Sequence, residues 1–264
     1  MRHTGEDGFS LAELLMVTAI LGMVAAAVVG VYRFSLETYT RAASLEDAQV
    51  GARAGLDRMA TELRLIGAYW SGAGGAGAAI TAASATTITF MSDVNGDTVS
   101  SGAETTVAAG TTATGTTVQV SGSASAAADA FDVYSSSALN DYVYVADGAI
   151  REVKQISGIS GTTLTLASAL ATYYPAGSIV RSVETVTYNY DGSAQTLTRS
   201  VGGSGAQTII DNVTGLTLTY FQADGVTTAT GTADIREIQI SLTTEGSDGS
   251  SRIMTSRVRP RNLL

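Results

Sequence analysis

No cysteine occurs among the 264 residues, so neither a disulfide framework nor a thiolate metal site is available. Histidine occurs once, at His3, and lysine once, at Lys154. His-based acid/base catalysis, cysteine nucleophiles and the usual zinc ligands are therefore out of reach for most of the chain. Basic residues are scarce as a class: 15 Lys and Arg stand against 24 Asp and Glu, a formal charge of −9, which gives no general support for nucleic-acid binding. The shortage is uneven. Between Leu65 and Ile150 there are seven acids and no base, whereas Arg252, Arg257, Arg259 and Arg261 crowd the C-terminus. Those arginines offer a patch for DNA, acidic lipid or a neighbouring subunit. Their irregular alternation on a strand favours the plainer reading, that they are solvated or paired with local acids. The acids are many but scattered, and nothing brings two carboxyls together at the separation glycoside hydrolysis needs. No enzymatic activity is expected.

Against these absences stands one long apolar run. From Phe9 to Tyr32 there are 24 residues with no Pro, no Lys or Arg, and a single charge, Glu13. As a helix the run is roughly 36 Å long, enough to cross a hydrocarbon core of about 30 Å. An acid in such a segment is costly, which makes it a candidate functional group.

The polar leader Met1 to Gly8 leads directly into Phe9-Ser10-Leu11-Ala12-Glu13-Leu14-Leu15-Met16-Val17. A Sec-type leader carries its cleavage site after the apolar region, not before it. The order seen here resembles the class III leader of type IV pilins and pseudopilins. That resemblance implies cleavage by a prepilin peptidase after Gly8 and methylation of the new terminal amine at Phe9. It also implies that the apolar helix is kept as membrane anchor and filament core. Glu13 is expected to pair with the terminal amine of a neighbouring subunit, since two buried opposite charges cost less together than apart. After such cleavage the chain would hold neither His nor Cys.

The helix should continue beyond the membrane. Leu45, Ala48, Ala52, Leu56, Met59, Leu63 and Ile66 fall at steps of three and four and form one stripe. Arg33/Glu37 and Glu37/Arg41 are i,i+4 pairs. Unbroken from Phe9 to Ile66, the helix would be about 87 Å long. Gly22 and Gly30 mark either a place where it stretches on assembly or close-packing positions between helices. The Gly/Ala/Ser run from Ser71 to Gly77 reads as a linker, not a phosphate loop, because no strand precedes it and no Gly-Lys-Ser/Thr follows.

From Ile88 onward the chain reads as β, giving an α+β protein: a long N-terminal helix and an antiparallel β head that carries a β-rich insertion. Residues 67–97 and 182–264 form the head, and residues 98–181 the insertion, a small barrel or sandwich. Strands are expected over 87–91, 184–190, 196–200, 207–211, 213–222, 235–242 and 252–258, joined by Asp-Gly and Gly-Gly turns into one meander packed on the helix. Within the insertion, 116–120, 131–134, 142–145, 150–156, 163–166 and 179–181 alternate like short strands. The order of the tail motifs is similar to that of PilW-like minor pilins and GspJ-like minor pseudopilins. These include Leu197-Thr198-Arg199, Val213-Thr214-Gly215-Leu216 and the closing Val258-Arg259-Pro260-Arg261-Asn262.

Asp93, Asn95, Asp97 and Glu104 nearly satisfy the spacing of a calcium loop, with Thr98 where the pattern requires Gly. A calcium-binding β-loop and a solvated Asn-Gly hairpin are both compatible with it. Taken together, the resemblance implies a minor subunit at the tip or initiation complex of a type IV pilus or type II secretion pseudopilus. It would sit in a bacterial inner membrane with a periplasmic head and then enter the filament. Its partners would be the prepilin peptidase, other pilins, the assembly platform and membrane lipid. The alternative is a membrane-anchored adhesin that binds through the insertion.

Overall fold

The computed structural model describes residues 10–69, 79–94, 106–121, 142–202, 205–246 and 249–263. The protein is α+β. Helix α1 (Leu11–Arg64) runs unbroken for 54 residues, about 81 Å at 1.5 Å per residue. From Leu11 to Ala42 every residue is exposed, and the side chains of Leu45 and Ala48, which open the expected stripe, lie outside the described ones. From Ala52 the expected stripe is buried: Ala52, Leu56, Met59, Leu63 and Ile66 are all less than a tenth exposed. Each of the larger side chains contributes roughly 1.5–3 kcal/mol by leaving water, so the last four turns hold the helix to the head. Arg41 pairs with Glu37 on the exposed part, as the spacing predicts.

Among the described residues twelve strands follow, in two antiparallel sheets. In the first sheet the path is β1 (Ile80–Ala83), β2 (Thr87–Ser92), β7 (Ile179–Asp191), β4 (Tyr142–Asp147), β5 (Ile150–Ser160), β6 (Thr163–Leu166), β3 (Thr117–Gln119). Strand β8 (Thr196–Val201) also pairs with β7, and β9 (Gln207–Ile210) pairs with β8. The second sheet is β10 (Val213–Phe221), β11 (Glu237–Glu245) and β12 (Ser251–Val258). The expected single meander is therefore divided: β7, β8 and β9 stay in the large sheet, while β10 to β12 form a separate layer that contacts α1 through β11 and β12. Strand β1 lies outside the expected strands, because Ile80-Thr81-Ala82-Ala83 is only four residues long and does not alternate; pairing with β2 fixes it.

The main departure from the sequence reading is β7. Runs expected separately over 179–181 and 184–190 are one strand of 13 residues. Its first part pairs with β4, Ala146 opposite Ile179 and Tyr142 opposite Val183. Its second part pairs with β2, Ser92 opposite Glu184 and Thr87 opposite Asn189. Residues 180 to 184 are buried in succession, the pattern of a strand covered on both faces. One hydrophobic core lies against the helix and includes Met59, Leu63, Phe90, Val186, Tyr188, Ile238 and Leu242. A second includes Val118, Val143, Ile156, Leu164, Tyr174 and Val180. Strand β7 contributes to both.

Gly148 and Gly161 close the β4–β5 and β5–β6 hairpins with positive φ of 59° and 62°, where a glycine carries no Cβ penalty. Gly55 is kept for a different reason. A Cβ there would lie 2.3 Å from Cγ1 of buried Ile210, so β9 packs directly on the helix backbone. Gly51, one turn earlier, has open space around it. Gly55→Ala should therefore destabilise the protein by about 1–3 kcal/mol through overpacking. Gly51→Ala should stabilise it by up to about 1 kcal/mol through helix propensity. Thermal melts of the two variants in detergent would show shifts of opposite sign.

Candidate functional site

The helix starts with a reciprocal cap. Ser10 is extended (ψ 148°), its hydroxyl accepts the Glu13 N–H at 3.2 Å, and the Glu13 carboxylate accepts the Ser10 N–H at 3.0 Å. This satisfies two donors that the first turn would leave orphaned, and it places the negative charge at the positive end of the helix dipole. Glu13 thus holds the amide one residue after Phe9. Gly8 and Phe9 themselves lie outside the described residues.

From Leu11 to Ala43 the helix is long and apolar enough to cross a membrane, and none of its apolar window is buried in the protein. Leu14, Leu15, Ile20, Leu21, Val24 and Val28 are each more than half exposed, which a water-facing surface helix would not tolerate in such number. Tyr32, Phe34 and Tyr39 follow, exposed by 63%, 71% and 73%. Aromatic residues in that position suit the headgroup level of a bilayer.

The helix is fixed to the head by a buried polar joint. Glu62 accepts from the Tyr188 hydroxyl at 2.7 Å and from Arg199 Nε at 2.8 Å, while Arg58 Nε approaches its other oxygen at 3.2 Å. The side chains of Glu62 and Arg199 are only 12% and 8% exposed. Burial and the neighbouring Glu62 charge push the Tyr188 phenol well above the usual tyrosine range. Burial works against the Arg199 charge, but Glu62 more than offsets it and holds the guanidinium firmly protonated. The C-terminal tail closes the same end of the helix: Arg261 N–H donates to the Arg64 carbonyl at 3.1 Å, and the Asn262 amide reaches the Leu65 and Ile66 carbonyls at 3.4 Å.

Of the four residues in the calcium-loop spacing, Asp93 is placed at the end of β2, only 8% exposed. Beside it the Val94 N–H donates to buried Glu184 at 3.1 Å. Asn95, Asp97 and Glu104 lie outside the described residues. Among the described residues no group of three or more His, Cys, Asp or Glu side chains gathers as a metal site. The C-terminal arginines divide. Arg257 and Arg259 both bind buried Glu237, at 2.8 and 2.5 Å, and Arg257 also covers the Phe221 ring at 4.7 Å. Arg252 and Arg261 meet no carboxylate among the described residues. In the second core, burial opposes ionisation of Glu152. The Ala171 N–H and Lys154 more than offset that and hold its carboxyl below the usual range, so it anchors the loop after β6.

Two features escaped the sequence reading for different reasons. Ser10-Leu11-Ala12-Glu13 is itself a capping-box pattern ahead of an apolar run, a signal present in the sequence but not drawn on. The Glu62–Tyr188–Arg199 joint spans 126 and 137 residues, a separation that no local pattern announces. No family model, no curated protein and no solved structure matches the chain.

Removing Glu62 leaves Arg199 buried without its carboxylate, so Glu62→Ala should cost about 3–5 kcal/mol. The double variant Glu62→Leu with Arg199→Met should recover most of it, as read by thermal melts. The raised phenols of Tyr188, Tyr174 and Tyr220 also fix a pH dependence. Their contribution is complete below the ordinary tyrosine value of about 10 and is lost as the pH rises above it, because the native state then binds more protons than the unfolded one. Melting temperature should fall steeply above that pH, and less steeply in Tyr188→Phe.

Proposed function

We propose that this chain is a minor pilin or pseudopilin, a non-enzymatic structural subunit of the tip or initiation complex of a type IV pilus or type II secretion pseudopilus. The observation that carries the reading is the helix. A single rod begins at the Ser10–Glu13 box, is apolar and uncovered for its first half, and packs one face on a β head with its second half. A plain anchor needs no continuous helix into its head. A filament subunit does, because the same rod must serve as anchor and then as packing element.

The cap geometry supports the role given to Glu13. Cleavage after Gly8 would create an ammonium one residue before the amide that Glu13 already accepts. In this reading the carboxylate serves a terminal amine, its own while the subunit waits in the inner membrane and a neighbour's after assembly. In that scheme the peptidase, the assembly platform and other pilins are the partners, and the head is periplasmic.

The test is intact mass and N-terminal sequencing of the protein from native membranes, with and without prepilin peptidase. A chain that begins at N-methylated Phe9 only when the peptidase is present is the expected result. An intact Met1, or cleavage beyond the apolar run, would reject the proposal. Glu13→Ala should leave membrane insertion intact and reduce incorporation into filaments.

The second core favours one further reading, an adhesin whose outer lobe binds a surface. Because β7 belongs to both cores, a deletion that separates the two roles must spare Ile179–Asp191 and remove only residues 98–178. Lost assembly would mark the lobe as architectural; lost attachment with normal filaments would mark it as the binding element. The calcium proposal rests on spacing alone: a rise in melting temperature with calcium that Asp97→Ala abolishes would support it.

A further inference from the structure

Where α1 ends, a cleft of about 620 Å³ opens between the helix terminus, the end of β2 and the C-terminal tail. Arg64, Tyr69, Asp93, Val94, Arg261 and Asn262 are among the residues that line it. That volume is within the ordinary range for a small-molecule site. We propose that this cleft binds an acidic sugar, one carrying a carboxylate and free hydroxyls on each ring, as in a uronic-acid-containing polysaccharide.

Three observations converge on that ligand. First, Arg64 and Arg261 are joined backbone to backbone at 3.1 Å, so their side chains start from adjacent points, and both are exposed. Among the described residues neither guanidinium meets a carboxylate. Both residues line the cleft as cations without such a partner, and each guanidinium carries the paired N–H donors that a planar carboxylate accepts. Second, Tyr69 has a φ of 57°, a left-handed conformation that a bulky residue rarely adopts. The conformation is not repaid by full burial, since Tyr69 stays 41% exposed. Its ring is instead held in place, with the Arg181 guanidinium 5.6 Å from the centroid and Tyr144 leaning on it at 5.3 Å. Backbone strain kept at an exposed, fixed aromatic marks a ligand platform, and the flat apolar face of a sugar ring stacks on such a surface. Third, Asp93 lines the same cleft. It already has a partner within the protein, and a carboxylate has acceptor sites for more than one hydrogen bond. Beside the arginines, that carboxylate would accept hydroxyl donors, which a sugar supplies and the side chains of a polyacidic peptide do not.

A lipid headgroup is excluded by distance. Arg64 lies 21 residues beyond Ala43, the end of the membrane-competent stretch, about 31 Å further along the helix. The site does not require that the chain enter a filament, so it stands or falls independently of Phe9 methylation.

The experiment is calorimetric titration of the full chain in detergent micelles with trimers of galacturonate, glucuronate and mannuronate. The comparators are the uncharged methyl ester of each trimer and hexaglutamate. Binding of at least one uronate is expected, with about ten-fold weaker binding of its ester and of hexaglutamate. Arg64→Gln and Arg261→Gln should each weaken it by about ten-fold, the usual scale for losing one charge-assisted contact. Tyr69→Gly is the decisive variant: glycine adopts the same φ freely, so the fold is kept while the platform is lost, whereas Tyr69→Phe should bind as the parent does. No binding of any uronate, equal binding of the esters, or binding that Tyr69→Gly leaves unchanged would overturn the proposal. Preference for hexaglutamate would overturn it too, and would reassign the cleft to an acidic protein segment.

Discussion

A rod of 54 residues can be held by a globular head only over its last turns, and the attachment here centres on one carboxylate, Glu62. Its negative charge binds Arg199 on β8 and the Tyr188 hydroxyl on β7, so two neighbouring strands meet the helix at one point. Apolar burial of Met59, Leu63 and Ile66 supplies most of the adhesion, but that contact is non-directional. The buried ion pair sets where along the rod the sheet sits, because any slide or rotation strands a charge in the core. Gly55 enforces the same register from the other flank, where Ile210 occupies the space a side chain would need.

Much of this was legible in the sequence because it is periodic. The apolar run and the part of the stripe from Ala52 to Ile66 are local patterns, and each is found where it was expected. Turn chemistry was equally readable: Asp147-Gly148 and Ser160-Gly161 close hairpins because only glycine takes that backbone cheaply.

What was not legible depends on distance in sequence or on context. The alternation over 179–181 and 184–190 was visible, yet it is broken at Ser182, Val183 and Glu184, where burial on both faces replaces alternation. A strand covered on two sides loses its period-two signature. The pairing of Arg257 and Arg259 with Glu237 was anticipated only as a class, since their partner is set by strand register. Tyr69 gave no signal at all, because a left-handed aromatic is a product of the tertiary contacts around it.

The continuity of β7 has a consequence for how this protein comes apart. A hinge between two lobes needs a segment whose hydrogen bonds can be surrendered without exposing either core. Here the connecting residues 180 to 184 are the most enclosed of the strand, laddered to β4 on one side of the junction and to β2 on the other. Opening the second core therefore pulls on a strand that the first core also holds, so the two hydrophobic centres are coupled through β7 rather than joined by a free linker.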